Sequence, residues 1–138
     1  MTFTKDESFT CVDIAVVDLD SGNADLVKIG SPIAFILSAN TVKVLETTSL
    51  PLGILDSLRP DVSSYTLAEN DTLLFMSDGV ADAFGSTADL YEILRAIPVG
   101  NPQALAERLL DEALRAYGNV AKDDMTAIAV RLFRNSAV

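Results

Sequence analysis

Apolar and polar positions change their rhythm about two thirds of the way along the chain. Before that point the apolar residues come in short runs separated by turn residues. "CVDIAVVDLD" carries Val12, Ile14, Val16 and Leu19, "SGN" supplies a turn, and "ADLVKIG" resumes with Leu26, Val27 and Ile29, which predicts a β-hairpin. "IAFILS", the turn "AN" and "TVKVLET" predict a second hairpin. "SLPLGIL" is broken by Pro51 and Gly53 and reads as irregular. "DVSSYTL" alternates like a half-exposed strand, "AEND" turns, and "TLLFMS" reads as a fully buried strand.

After this strand the spacing becomes helical. In "STADLYEILRAI", a Ser or Thr can cap the start, and Leu90, Ile93, Leu94 and Ile97 share one face. "GNPQALAERLLDEALRAYG" offers Asn101 as cap, Pro102 for the first helical position and Gly118 for the stop. Leu105, Leu109, Ala113 and Tyr117 recur on one face, and Asp111 and Arg115 stand at i,i+4 for an ion pair. "MTAIAVRLF" ends the pattern as an apolar, β-branched strand that must join the earlier strands to be buried. Strands, then helices, then one returning strand predict an α+β layered domain.

Composition narrows the chemistry. The 138 residues suit a single domain (1–138), able to bury roughly two thirds of its unfolded surface. A hydrophobic content of 49% with 22% charged residues marks a globular chain. No apolar run reaches the roughly 18 residues a membrane span needs, and "MTFTKDESF" lacks the pattern of a secretory signal. The single cysteine, Cys11, excludes an internal disulfide framework, and its place in an apolar run predicts burial in the core.

A net charge of −10, with no basic stripe, argues against a nucleic-acid partner. The chain has no histidine, so Ser-His-Asp and Cys-His nucleophiles are excluded, as are His-ligated zinc sites. Carboxylates remain, and these suit hard cations such as magnesium and manganese. Two acidic motifs stand at strand ends: Asp78-Gly79 closes "TLLFMS", and Asp123-Asp124 precedes "MTAIAV". Asp-Gly is a common turn pair, and "DDMT" can equally be a solvated loop. If the two strands are antiparallel neighbours, however, both motifs fall at one edge of the sheet. Carboxylates converging there would raise each other's pKa unless a cation sat between them. A calcium-binding loop is disfavoured, because no "DxDxDG" spacing occurs.

"MSDGVADAF" and "KDDMTAIAV", together with "LVKIGSPIAFIL", "LPLGIL", "NPQALAERLLDEALR" and "KDESFTCVDIAVVDLDSG", resemble the C-terminal half of bacterial PPM-type metal-dependent serine/threonine phosphatases. The branch resembled is the sporulation stage II protein E (SpoIIE) type. The resemblance implies an antiparallel β-sandwich flanked by α-helices, with two Mn2+ or Mg2+ ions at one end. It also implies hydrolysis of phosphoserine or phosphothreonine by a metal-activated water without a phosphoenzyme, the usual substrate in this branch being a phosphorylated anti-sigma-factor antagonist. Carried over by motif, Asp78 and Asp123 are metal ligands, and Asp124 is a fallback ligand or an outer-shell group. Gly79 permits the turn that aims Asp78, and Gly53 forms a structural turn near the site.

The family needs two further aspartates from its N-terminal portion. Asp13, Asp18 and Asp20 lack the Gly pattern of that portion. The resemblance therefore implies that the N-terminal strands are missing, that this chain alone has an incomplete metal site and little or no activity, and that its exposed sheet edges invite self-pairing. A cytoplasmic location follows from the same likeness, on a parent that in some members of the branch is membrane-anchored. A non-catalytic interaction or regulatory module, with its acids as vestigial turns, is the alternative.

Overall fold

A computed structural model describes residues 9–47, 49–54, 60–98 and 100–134. Residues 5–8 and Leu55, which belong to two of the family-like stretches, lie outside them. The chain runs β1 (Val12–Val17), β2 (Asn23–Ile29), β3 (Ala34–Leu37), β4 (Val42–Leu45), β5 (Asp61–Thr66), β6 (Thr72–Met76), α1 (Asp78–Ala81), α2 (Thr87–Ala96), α3 (Pro102–Ala116) and β7 (Ala127–Arg131). The strands form two antiparallel sheets, one in the order β1-β2-β5 and the other β4-β3-β6-β7.

Both predicted hairpins form. The first is closed by Asp18, whose Oδ1 accepts the amides of Asp20 and Ser21 at 2.9 Å each. This turn uses the ability of a short carboxylate to bond its own downstream backbone. Gly22, at φ +78, completes it, and a side chain there would strike the Leu67 carbonyl.

The period-two pattern splits the side chains between two cores. Ala24 and Leu26 of β2 pack against Ala34 and Ile36 of β3, Leu45 of β4 and Leu73 of β6, so the two sheets lie face to face. On the other side of the four-stranded sheet, Phe35, Leu37, Leu74 and Met76 meet Leu90 and Leu94 of α2 and Leu105, Leu109 and Ala113 of α3. Each such fully buried Leu contributes on the order of 1.5–3 kcal/mol of apolar transfer. The helices start as the sequence indicates: Ser86 accepts the Asp89 amide, and Asn101 accepts those of Gln103 and Ala104.

The helices pack on the four-stranded sheet, and among the described residues the outer face of β1-β2-β5 is bare, with Ile14, Val16 and Val62 exposed. Three expectations are corrected. β7 does join the sheet, but at its edge; Ala127 and Ala129 face the helical core while Ile128 and Val130 remain exposed. Cys11 is exposed rather than buried, because it precedes an edge strand at the open end of the sandwich. In α3 the ion pairs run from Glu112 to Arg108 and Arg115, and the pair Asp111–Arg115 is not made.

Candidate metal-binding edge

β6 and β7 pair antiparallel with Met76 opposite Ala127, which puts the end of one strand beside the start of the other. The pairing continues past the strands. The Ser77 amide donates to the Thr126 carbonyl at 2.9 Å. The Ser77 hydroxyl accepts the Thr126 amide at 3.0 Å and donates to the Asp124 carbonyl at 3.2 Å. Ser77 therefore occupies the N-cap position of α1 without capping it; its side chain is spent on the 124–126 loop instead.

Directly after it, Asp78 and Gly79 begin a helix of four residues, where the sequence suggested a plain turn. Gly79 is buried against the loop from the other strand. A Cβ at Gly79 would lie 2.1 Å from the Asp124 carbonyl oxygen and 3.3 Å from the Asp123 Cβ. The two acidic motifs are thus in backbone contact, as the strand polarity requires. Gly53, at φ +97, makes the turn after Leu52, which bridges to Thr10, but Gly53 does not line the cavity beside Asp78.

That cavity, of about 620 Å³, opens at the end of the sandwich. Cys11 and Asp13 of the β1 end, Ser31 after β2, and Ser77, Asp78 and Asp82 line it, with Phe9, Phe75 and Ile128 as apolar walls. Asp123 and Asp124 are exposed and do not line it. Asp82 escaped the sequence reading. It lies four residues after Asp78, on the same side of a helical turn, a spacing that carries meaning only once the segment is known to be helical. Asp13 also escaped it as a wall residue: its Oδ1 accepts the buried Lys28 ammonium at 2.7 Å and the Ser31 hydroxyl at 2.6 Å. Partial desolvation, and then the negative charges of Asp78 and Asp13, push the Cys11 thiol up, which favours its protonated form.

The donor set can be judged directly. Asp78 Oδ1 accepts the Gly79 amide at 2.9 Å, and Asp123 Oδ1 accepts the Asp124 amide at 2.7 Å. No hydrogen bond to the second oxygen of either carboxylate is made among the described residues. Among the described residues none of Asp78, Asp82, Asp123 and Asp124 forms an ion pair with Lys or Arg. Unneutralised carboxylate oxygens of this kind fit hard divalent cations. They form only part of a site, since no group of three or more acidic or other ligating side chains among the described residues is placed to hold a metal. Tyr117, the C-cap of α3, donates its hydroxyl to the Gly79 carbonyl at 2.7 Å. Partial desolvation, and then Asp82, Asp123 and Asp78, push its phenol up, keeping the donor proton in place.

Residues 1–133 match the family described as Stage II sporulation protein E (SpoIIE). The chain belongs to the SpoIIE family. It is 31% identical to the stage II sporulation protein E of Priestia megaterium over 138 residues, covering 96% of this chain and 23% of that protein. Among solved structures, the PP2C phosphatase domain of Bacillus subtilis SpoIIE with a fragment of its regulatory domain superposes with a TM-score of 0.84 at 29% identity, over 96% of this chain and 41% of that one. The manganese-presoaked SpoIIE phosphatase domain gives 0.79 at 28% identity, over 92% of this chain and 58% of that one. The α+β fold with two antiparallel sheets is that of the PP2C phosphatase domain. The chain spans less than a quarter of the Priestia SpoIIE protein.

Proposed function

We propose that this chain is the C-terminal portion of a SpoIIE-type phosphatase domain, which hydrolyses phosphoserine or phosphothreonine on a protein. The observation that carries the reading is the backbone contact between Asp78-Gly79 and Asp123-Asp124, in a chain whose family includes solved phosphatase domains. In this reading Asp78 and Asp123 hold Mn2+ or Mg2+, and Asp124 supports or substitutes for Asp123. Divalent cations, when bound, supply an acidified water at neutral pH and neutralise charge on phosphoryl oxygens. The chain's own part is to fix the carboxylates: Ser77 ties the two strand ends, and Gly79 lets the peptides touch.

The substrate that suits this branch is a phosphorylated anti-sigma-factor antagonist, and the location that suits it is the cytoplasm. With no group of three ligands among the described residues, the chain by itself has little or no turnover and self-associates through its bare sheet edges. The test is hydrolysis of a phosphoserine peptide with Mn2+ by the parent protein, against Asp78→Asn. Loss of turnover by several orders of magnitude in the variant is expected; equal rates would overturn the reading.

The incomplete ligand set favours a second reading, a non-catalytic interaction module on a degenerate phosphatase fold. Metal-independent binding of a partner, together with no hydrolysis by the parent protein, would select it.

A further inference from the structure

Tyr117 is six residues ahead of Asp123, yet its hydroxyl reaches across to the other acidic motif. In α1 the amides of Val80 and Ala81 bond the Ser77 carbonyl, that of Asp82 bonds the Asp78 carbonyl, and that of Ala83 bonds the Val80 carbonyl. The Gly79 carbonyl is passed over by this ladder. A short helix leaves such carbonyls without partners, and a buried one is costly unless another donor meets it. The Tyr117 hydroxyl meets it at 2.7 Å. The same glycine also abuts the Asp124 carbonyl, and a Cβ on it would lie 3.3 Å from the Asp123 Cβ. Gly79 is therefore held both by Tyr117 and by the Asp123-Asp124 peptide.

The two halves of this clamp belong to one segment. Tyr117 ends α3, Gly118 and Asn119 turn the chain through φ +76 and +64, and the loop then delivers Asp123. The α3 side is anchored by Leu109 and Ala113 in the helical core. We propose that Tyr117 is a positioning residue whose hydroxyl fixes the placement of Asp78 relative to Asp123, and so sets the affinity of this edge for a divalent cation. This inference rests on the metal-site reading above. Hydrogen bonds one step removed from the ligands tune metal affinity through geometry, commonly by about 10–100-fold.

The experiment is a Mn2+ titration of the parent protein followed by electron paramagnetic resonance, with Tyr117→Phe, Asp78→Asn and Asn101→Ala. Tyr117→Phe removes one oxygen and keeps the ring beside Lys122. The expected result is Mn2+ binding by the unmodified parent protein, a large loss in Asp78→Asn, and an affinity about 10-fold weaker in Tyr117→Phe with an altered bound-Mn2+ spectrum. Asn101→Ala, which loosens the far end of α3, should bind as the unmodified protein does. Tyr117→Phe with unchanged affinity and spectrum overturns the clamp and leaves the metal reading standing. An equal loss in Asn101→Ala also overturns it, by tracing the effect to general loosening of α3. No Mn2+ binding by the unmodified parent protein overturns the metal-site reading, and the clamp with it.

Discussion

Gly79 has no room for a side chain. Its backbone takes an ordinary helical conformation, so the demand is one of space: a Cβ would sit 2.1 Å from the Asp124 carbonyl oxygen, a backbone atom. Gly79→Ala should cost about 1–3 kcal/mol, the usual range for overpacking. Urea unfolding measures this, and an unchanged midpoint would mean that the 123–124 peptide yields freely. Asp18 gives a pH prediction. The amides of Ser21 and Asp20, then the Ser21 hydroxyl, hold its carboxyl below the usual aspartate range. A depressed folded pKa stabilises the protein above the unfolded pKa of about 4 and stops doing so as pH falls through the folded value. The gap in melting temperature between the unmodified chain and Asp18→Ala should therefore be widest near neutrality and shrink on acidification. A gap that grows below pH ~4 would contradict this assignment.

The elements differ in how openly the sequence declares them. Both hairpins, the half-exposed β5 and the caps of α2 and α3 were legible, because alternation and capping are local physics. α1 was not, since "SDGVAD" has too few residues for a helical period and its Gly reads as a turn. For β7 the sequence required that the strand join the earlier ones but left its neighbour open and misjudged its cover, because a run such as "AIAV" does not say which face meets the helices. Cys11 failed for the same reason at the opposite edge. In α3 the choice of ion pair was open between neighbouring acids, and Glu112 wins by facing two arginines. Substitutions should follow these contacts. Asn101→Ala should cost about 1 kcal/mol, because two amides lose their acceptor. Asp111→Ala, with no ion pair to lose, should stay within about 0.5 kcal/mol of the unmodified chain. Thermal unfolding of the two variants tests the contrast. The candidate site was half legible: strand polarity brought the two motifs together, whereas Asp82, Asp13 and Tyr117 became visible through contacts between distant segments.

At the scale of the whole molecule, two apolar surfaces lack cover among the described residues: the outer face of β1-β2-β5 with Ile14, Val16 and Val62, and the free side of β7 with Ile128 and Val130. Bare strand edges and faces of this kind promote association. Sedimentation of the chain should show a mass that rises with concentration, and Val62→Lys with Ile128→Lys should suppress that rise; an unaffected profile would place the contact elsewhere. The cavity at the end of the sandwich carries a consequence of its own. Asp13 of its wall is neutralised by the buried Lys28, whereas Asp78 and Asp82 line it and, among the described residues, form no ion pair. An anionic visitor is repelled from such a mouth, and a cationic one is drawn in. On the metal-site reading proposed above, entry is sequential: inorganic phosphate should show no measurable affinity for the metal-free parent protein at low ionic strength, and should acquire one only after Mn2+ has reversed the sign of the opening.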